Sequence, residues 1–127
     1  MYSATTRDIH VTVEPKYAPE RSQPAAGHYF FLYTIEIRNE GLRTVKLQSR
    51  HWVITDAHGE VEEVRGPGVV GEQPVLQRGE SFKYTSACPL TTPFGSMEGS
   101  YQMVSDNGDQ FDVKIPAFAL RDPKLMQ

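Results

Sequence analysis

Three glycines in the segment EVRGPGVVGEQP have the spacing most suggestive of chemistry in this chain. Gly66, Gly68 and Gly71 reproduce the G-x-G-x-x-G pattern of dinucleotide-binding loops. In those folds the loop opens a helix whose amino end carries the pyrophosphate. Here Pro74 and Gly79 leave room for little more than one helical turn. The sequence therefore argues against a Rossmann unit, although consecutive backbone amides can bind an anion without a helix.

The charges near this loop oppose a bound anion. One arginine stands among four glutamates in the neighbouring sequence: Arg65 with Glu60, Glu62, Glu63 and Glu72. A phosphate would meet net repulsion there unless Arg50 or Arg78 folded over the loop. We predict that the glycines turn the chain between sheets, with Val69 and Val70 packed. Pyrophosphate binding by the three glycines is the alternative.

Patterns that would support metal binding or covalent catalysis are weak. The four histidines show no HxH or HxxxH spacing, so none presents two ligands together: His10, His28, His51 and His58. Ser96 is second rather than central in Gly95–Gly99, which is not a nucleophile elbow. Cys88 precedes a proline and is expected to be structural. We predict no catalytic residue, no metal site and no cofactor.

Length and composition indicate one soluble domain. The chain has 127 residues, 39% of them hydrophobic and 23% charged, and we predict a single domain over residues 1–127. Its ordered core is expected at about residues 8–120, with a mobile tail over 121–127. Sixteen acidic and thirteen basic residues predict neither nucleic acid nor a membrane surface as partner. A single cysteine and the lack of an apolar leader predict a reducing cytoplasm.

Alternation of apolar and polar residues dominates the sequence and predicts strands. Odd residues from Ile9 to Val13 share one face, and odd residues from Tyr29 to Ile37 form a long central strand. The parity slips after Leu47, because Trp52 and Ile54 are even, so a β-bulge is expected near residues 49–51.

Turn signals separate these strands. The DAHG turn over residues 56–59 and the Asn107-Gly108 pair predict hairpins. The segment CPLTTPFGSMEG, rich in proline and glycine, is predicted to be a connection. Roughly seven to eight strands then form an antiparallel two-sheet sandwich of immunoglobulin or fibronectin type III kind, with an open barrel as the alternative.

Trp52 and its neighbours suggest a surface for recognition. A tryptophan on a strand near the middle of a sandwich usually fills the core between the sheets. Arg50 and His51, at the expected bulge, would then be displayed on an edge or rim. Together with Arg65 they are the predicted partner-binding residues.

Three long segments resemble the ApaG family: SRHWVITDAHGEVEEVRGPGVVGEQP, RGESFKYTSACPLTTPFGSMEGSYQMV and FDVKIPAFAL. With the first strand and YTIEIRNEG, the resemblance spans roughly Ile9 to Leu120. It implies a fibronectin-type-III-like sandwich, an association with cobalt tolerance and magnesium efflux, and a module that binds proteins in eukaryotic relatives. It also implies the suggested pyrophosphate role of Gly66, Gly68 and Gly71.

The sequence therefore favours a cytoplasmic, non-enzymatic module that binds an unidentified protein partner through a sheet edge and its loops. The alternative is a nucleotide or pyrophosphate sensor that uses the Gly66–Gly71 loop. The chain is expected to be a monomer or a weak homodimer, since an edge strand can pair two copies.

Overall fold

The computed structural model describes residues 1–126, with the side chains of residues 1–124. These residues form nine strands: β1 (Tyr2–Thr6), β2 (Ile9–Tyr17), β3 (Tyr29–Asn39), β4 (Val45–Asp56), β5 (Val61–Pro67), β6 (Val75–Leu76), β7 (Ser81–Leu90), β8 (Phe94–Ser105) and β9 (Gln110–Arg121). Short 3-10 turns occupy Pro19–Arg21, Pro24–Ala26 and Pro123–Met126. None of the helical segments among these residues has the length and apolarity needed to cross a membrane.

The strands build two antiparallel sheets. The first sheet has the order β1-β2-β3-β7, and the second has the order β5-β4-β8-β9, with β6 paired to β4. Side chains from the inner faces of both sheets make one core, in which Trp52 is 3% exposed. Its ring meets Tyr33 and Phe118 at centroid distances of 5.4 and 6.0 Å. The predicted all-β sandwich and the core position of Trp52 are confirmed.

The parity slip in β4 is a bulge. The pairing of β4 with β8 shifts between Leu47 and Ser49, which leaves Gln48 as the extra residue. Because one residue is absorbed there, Leu47 and Trp52 both point into the core despite their opposite parity. The bulge was expected near residues 49–51 and lies just before them.

The predicted connection CPLTTPFGSMEG is wrong, because most of it is strand. β7 continues through Pro89 to Leu90, and β8 begins at Phe94. β9 likewise runs past Pro116, which faces a second register shift between Met97 and Gly99. A proline fits a strand where no ladder partner needs its amide, at a bulge or on a free edge. Proline and glycine content therefore misled the prediction for CPLTTPFGSMEG.

The two ends of the chain add regular structure beyond the predicted core. β1 was not predicted and pairs with β2 from Tyr2 to Thr6. Arg121 closes β9, and the next residue, Asp122, is buried. Of the predicted tail, residue 127 lies outside the described part of the chain.

One lateral side of the sandwich is closed and the other is open. On the closed side β1 meets β9, where the Lys114 amide donates to Thr6 Oγ1 and the Ala119 amide donates to the Tyr2 hydroxyl, at 3.2 and 3.3 Å. On the other side lie β7 and β5, the outermost strands of the two sheets. A cleft opens between them.

Candidate functional site

The sheet-edge cleft, as we call this opening between β5 and β7, has a volume of about 810 Å³. Apolar side chains line it together with hydroxyl, thiol and guanidinium groups. Its lining includes Trp52, Val64, Met97 and Leu90, the polar Tyr33, Tyr84, Ser86, Cys88 and Arg50, and the acidic Asp56, Glu60 and Glu62. Apolar walls with a few convergent polar groups are typical of ligand and peptide sites.

A pair of tyrosine hydroxyls lies behind the cleft. The Tyr84 and Tyr101 hydroxyls are 2.5 Å apart, and Tyr101 is fully buried. Loss of water contact raises the pKa of both phenols, and of Tyr33, whose hydroxyl bonds with Ser86. The positive charge of Arg50 opposes this shift in each phenol. All three tyrosines are therefore neutral hydrogen-bonding groups at physiological pH.

Cys88 is a buried thiol with a raised pKa. Its side chain points inward from β7 and is 4% exposed. Burial, with a smaller effect from the Glu62 carboxylate, raises the pKa of the thiol to about 11. Since the thiolate is the reactive form, Cys88 is poorly suited to covalent catalysis at neutral pH.

The raised pKa of Cys88 predicts that the folded chain loses stability at alkaline pH. The thiol ionises near pH 9 when unfolded and near pH 11 when folded, so its contribution to stability is complete below pH 9 and is lost as pH rises through that window. Replacing Cys88→Ala should make the decline between pH 9 and pH 11 shallower by up to one proton, about 1.4 kcal/mol per pH unit. Urea unfolding across this range measures it. Parallel slopes for the two proteins would refute the assignment.

Arg50 holds the glycine segment from inside the sandwich. Its Nη1 donates to the carbonyl oxygens of Pro67 and Gly68, at 2.9 and 3.0 Å. The guanidinium lies so close to Gly66 that a Cβ there would be 3.0 Å from Nη2. Binding of a phosphate by the loop was predicted to require Arg50 or Arg78 folded over it, whereas the structure directs Nη1 of Arg50 to backbone carbonyls.

The three-glycine motif is a tight reversal with no helix after it. Gly68 has φ of 60° and donates its amide to the Gln48 carbonyl at 2.8 Å. Val69 and Glu72 then exchange backbone hydrogen bonds across a turn whose central residues, Val70 and Gly71, both have positive φ. The amides of Gly68, Val69 and Glu72 are thereby used within the protein.

The prediction that no helical element follows the motif is confirmed, since the next element is the short strand β6. The prediction about packing is half right, because Val69 is buried whereas Val70 is 53% exposed. Whether Gly66, Gly68 and Gly71 bind pyrophosphate stays an open prediction.

The predicted partner-binding residues lie on two different faces. His51 and Arg65 are cross-strand neighbours on the outer face of the second sheet, where His51 Nε2 is 3.0 Å from Glu63 Oε1. Arg50 faces inward beside Gly66. Arg50 and His51 were expected on an edge or rim, and the edge is excluded because β4 has β5 on one side and β8 on the other. The bulge bends an interior strand and does not mark an edge.

The free edge of β7 is the feature that the sequence did not reveal. The Asn39 amide donates to the Glu80 carbonyl at 2.9 Å, which fixes the phase of the ladder between β3 and β7. Because alternate pairs of an antiparallel ladder exchange hydrogen bonds, the backbone groups of Lys83, Thr85 and Ala87 point away from β3. Alternation from Phe82 through Cys88 predicts a strand there, but the free edge follows only from the order of strands in the sheet.

The charged groups around the cleft bear on the kind of ligand that it can bind. Among the charged residues that line the cleft, Asp56, Glu60 and Glu62 outnumber Arg50, so its rim is acidic. Among residues 1–126 no cluster of three or more His, Cys, Asp or Glu side chains is placed to hold a metal ion. The acidic rim therefore favours a cationic organic group over a chelated ion.

Comparisons with known proteins agree with the resemblance to the ApaG family that the sequence shows. A protein-family model described as the ApaG domain matches residues 19–105. The chain is 57% identical over 123 residues to Protein ApaG of Beijerinckia indica subsp. indica, covering 97% of this chain and 95% of that protein. It is 60% identical over 123 residues to Protein ApaG of Bradyrhizobium sp. strain BTAi1, with coverage of 97% and 94%. A crystal structure from Bordetella pertussis, described as an ApaA protein, matches with a TM-score of 0.89 and 50% identity over 92% of this chain and 95% of that one.

Proposed function

The chain belongs to the ApaG domain family, and from this premise we propose that it is a protein-binding module that captures an extended segment of another protein. The segment adds as a strand to the free edge of β7 and directs alternate side chains into the sheet-edge cleft. The observation that carries this proposal is the outward row of backbone groups on β7 beside an open cleft.

The β7 edge suits strand addition because its backbone groups repeat without interruption. Lys83, Thr85 and Ala87 each present an amide and a carbonyl to the free side, which an incoming strand can pair. Pro89 ends the row of donors, since it has no amide. These backbone bonds supply affinity that does not depend on the partner's sequence.

The cleft supplies selectivity for the partner's side chains. Every second residue of an added strand would point inward, toward Trp52, Met97 and the tyrosine hydroxyls. The acidic rim, contributed by Asp56, Glu60 and Glu62, favours lysine or arginine beside an apolar anchor. The proposed partner is therefore a basic, extended segment with at least one apolar inward residue.

We propose binding rather than catalysis. The cleft's thiol has a raised pKa and its tyrosines are neutral, so the groups that converge there donate and accept hydrogen bonds without an activated nucleophile. Effects on cobalt tolerance or magnesium efflux would then be indirect, through the bound partner. The single cysteine supports a cytoplasmic setting for this interaction.

A selection from random twelve-residue displayed peptides tests the proposal. Enriched peptides should carry lysine or arginine and alternate apolar with polar residues. When titrated into ¹⁵N-labelled chain, such a peptide should shift the amides of Lys83, Thr85 and Ala87. Enrichment of acidic peptides, or shifts confined to the Gly66–Gly71 segment, would count against it.

The acidic rim gives a separate prediction. Glu60→Lys replaces an exposed carboxylate with an ammonium beside the cleft, so an enriched basic peptide should bind roughly tenfold more weakly at low salt. Glu98→Lys, a matched change at another exposed glutamate, should leave the affinity unaltered. Isothermal calorimetry at two salt concentrations measures both. Equal losses for the two variants would show that net charge alone is responsible.

The competing function is nucleotide or pyrophosphate binding by the glycine segment. Its support is the spacing of Gly66, Gly68 and Gly71, and its difficulty is that neighbouring amides already donate to protein carbonyls. Titration with diadenosine tetraphosphate and with ATP distinguishes the two functions, because only strand addition should shift the outward amides of Lys83, Thr85 and Ala87 on β7.

A further inference from the structure

Strand β5 is the second free edge on the open side of the sandwich, after β7. Its charges are complementary to those of a second, antiparallel copy of the same strand. β5 forms the outer edge of its sheet and pairs with β4, and Val61, Glu63 and Arg65 share its outer face. We propose that two copies of the chain associate through antiparallel pairing of β5 with β5, centred on Val64. The dimer pairs through the edge of β5 and the proposed peptide pairs through the edge of β7, and Arg50, Glu62 and Val64 line the cleft between them.

The hydrogen-bonding phase of β5 permits this pairing. The Asp56 amide donates to the Glu60 carbonyl, and the Gly68 amide donates to the Gln48 carbonyl. In this phase the backbone groups of the even residues of β5 bond to β4. The backbone groups of Val61, Glu63 and Arg65 consequently point to the free side. Those groups are the ones a second β5 would meet.

The charges favour the register that is centred on Val64. A two-fold axis perpendicular to the sheet keeps each face continuous, so one residue of β5 must lie on the axis. With Val64 there, Glu63 stands opposite Arg65 of the second copy, and the same pair recurs by symmetry. Moving the axis to Glu62, Glu63 or Arg65 would oppose like charges directly, which destabilises a sheet.

On the inner face, the same register brings a second pair of opposite charges together. Glu62 of one copy would stand opposite Gly66 of the other, where no side chain intervenes. The Arg50 guanidinium lies against that glycine, with Nη2 nearest to the Cβ position. Each Glu62 carboxylate can therefore approach Arg50 of the second copy, and the exposed Val61 stands opposite Pro67.

Charge reversal at the outer pair tests the register. Glu63→Arg and Arg65→Glu each create two like-charge oppositions, so each should raise the dimer dissociation constant about tenfold or more in sedimentation equilibrium. The double variant restores both pairs and should return the constant to within about threefold of wild type. Wild-type protein that stays monomeric up to about 1 mM, or a double variant as weak as the singles, would overturn the proposal.

Cross-linking gives a geometric test on the same strand. Val64→Cys puts two thiols on the axis at a Cα separation of about 4.5 Å, within disulfide range, so mild oxidation should yield a covalent dimer. Val61→Cys is the matched control, because its thiols would lie roughly 20 Å apart. Equal cross-linking of both variants would contradict pairing centred on Val64.

Discussion

Replacing Gly68→Ala is expected to lower the free energy of unfolding by about 3 kcal/mol or more. Gly68 has φ of 60°, which L-residues adopt at a cost, and a Cβ there would lie 2.2 Å from the Glu72 carbonyl oxygen. Backbone must move to relieve that contact, because no flexible side chain can give way. The reversal held by Arg50 would therefore be distorted. Chemical denaturation monitored by tryptophan fluorescence measures the loss, since the only tryptophan is in the core.

Gly71→Ala is the matched control for Gly68→Ala. Gly71 also has positive φ, at 81°, but a Cβ there meets nothing within 4 Å. Only the conformational cost applies, so we expect a loss of about 1 kcal/mol. Equal losses at the two positions would mean that the backbone contact with Glu72 does not constrain the segment.

Thr85→Pro is expected to weaken binding of a selected basic peptide about 100-fold while leaving the chain folded. The substitution removes one outward amide of β7 and places a ring where the incoming strand must approach. Proline is tolerated on a free edge, and the chain already has Pro89 in the same outward phase of β7. Calorimetric titration, with circular dichroism to confirm folding, gives the comparison.

Thr85→Val tests whether the side-chain hydroxyl of Thr85, rather than its backbone amide, contributes to peptide affinity. The Thr85 hydroxyl is 2.8 Å from the Thr34 hydroxyl, and valine removes that hydrogen bond while keeping the backbone amide. Peptide affinity should change by less than about threefold. A loss as large as that caused by proline would place the effect in the side chain and refute strand addition at β7.

The sequence predicted the architecture because alternation records which face of each strand is buried. The inward residues of β3 and the displaced parity of Trp52 were visible in the printed order of residues. The resemblance to the ApaG family is confirmed by the family match and the close relatives. Strand continuation through Pro89 was missed, because the tolerance of a strand for proline depends on neighbours distant in sequence.

The functional site was less predictable than the fold. Nothing local to Arg50 indicates that its guanidinium binds the carbonyls of Pro67 and Gly68, since the bond depends on pairing between β4 and β5. The sheet-edge cleft is likewise assembled from strands of two sheets. Which edges remain open follows from sheet order, and this is fixed only when all strands are placed.

An amide NMR titration on uniformly ¹⁵N-labelled chain compares strand addition with phosphate binding in one sample series. With a selected basic peptide, we expect shifts and slowed hydrogen exchange at Lys83, Thr85 and Ala87, and with diadenosine tetraphosphate we expect none at the glycines. Two results together would contradict the assignment of β7 and the cleft as the binding site. In these, micromolar nucleotide shifts only the amides of Gly66–Gly71, and the peptide leaves the β7 amides unshifted.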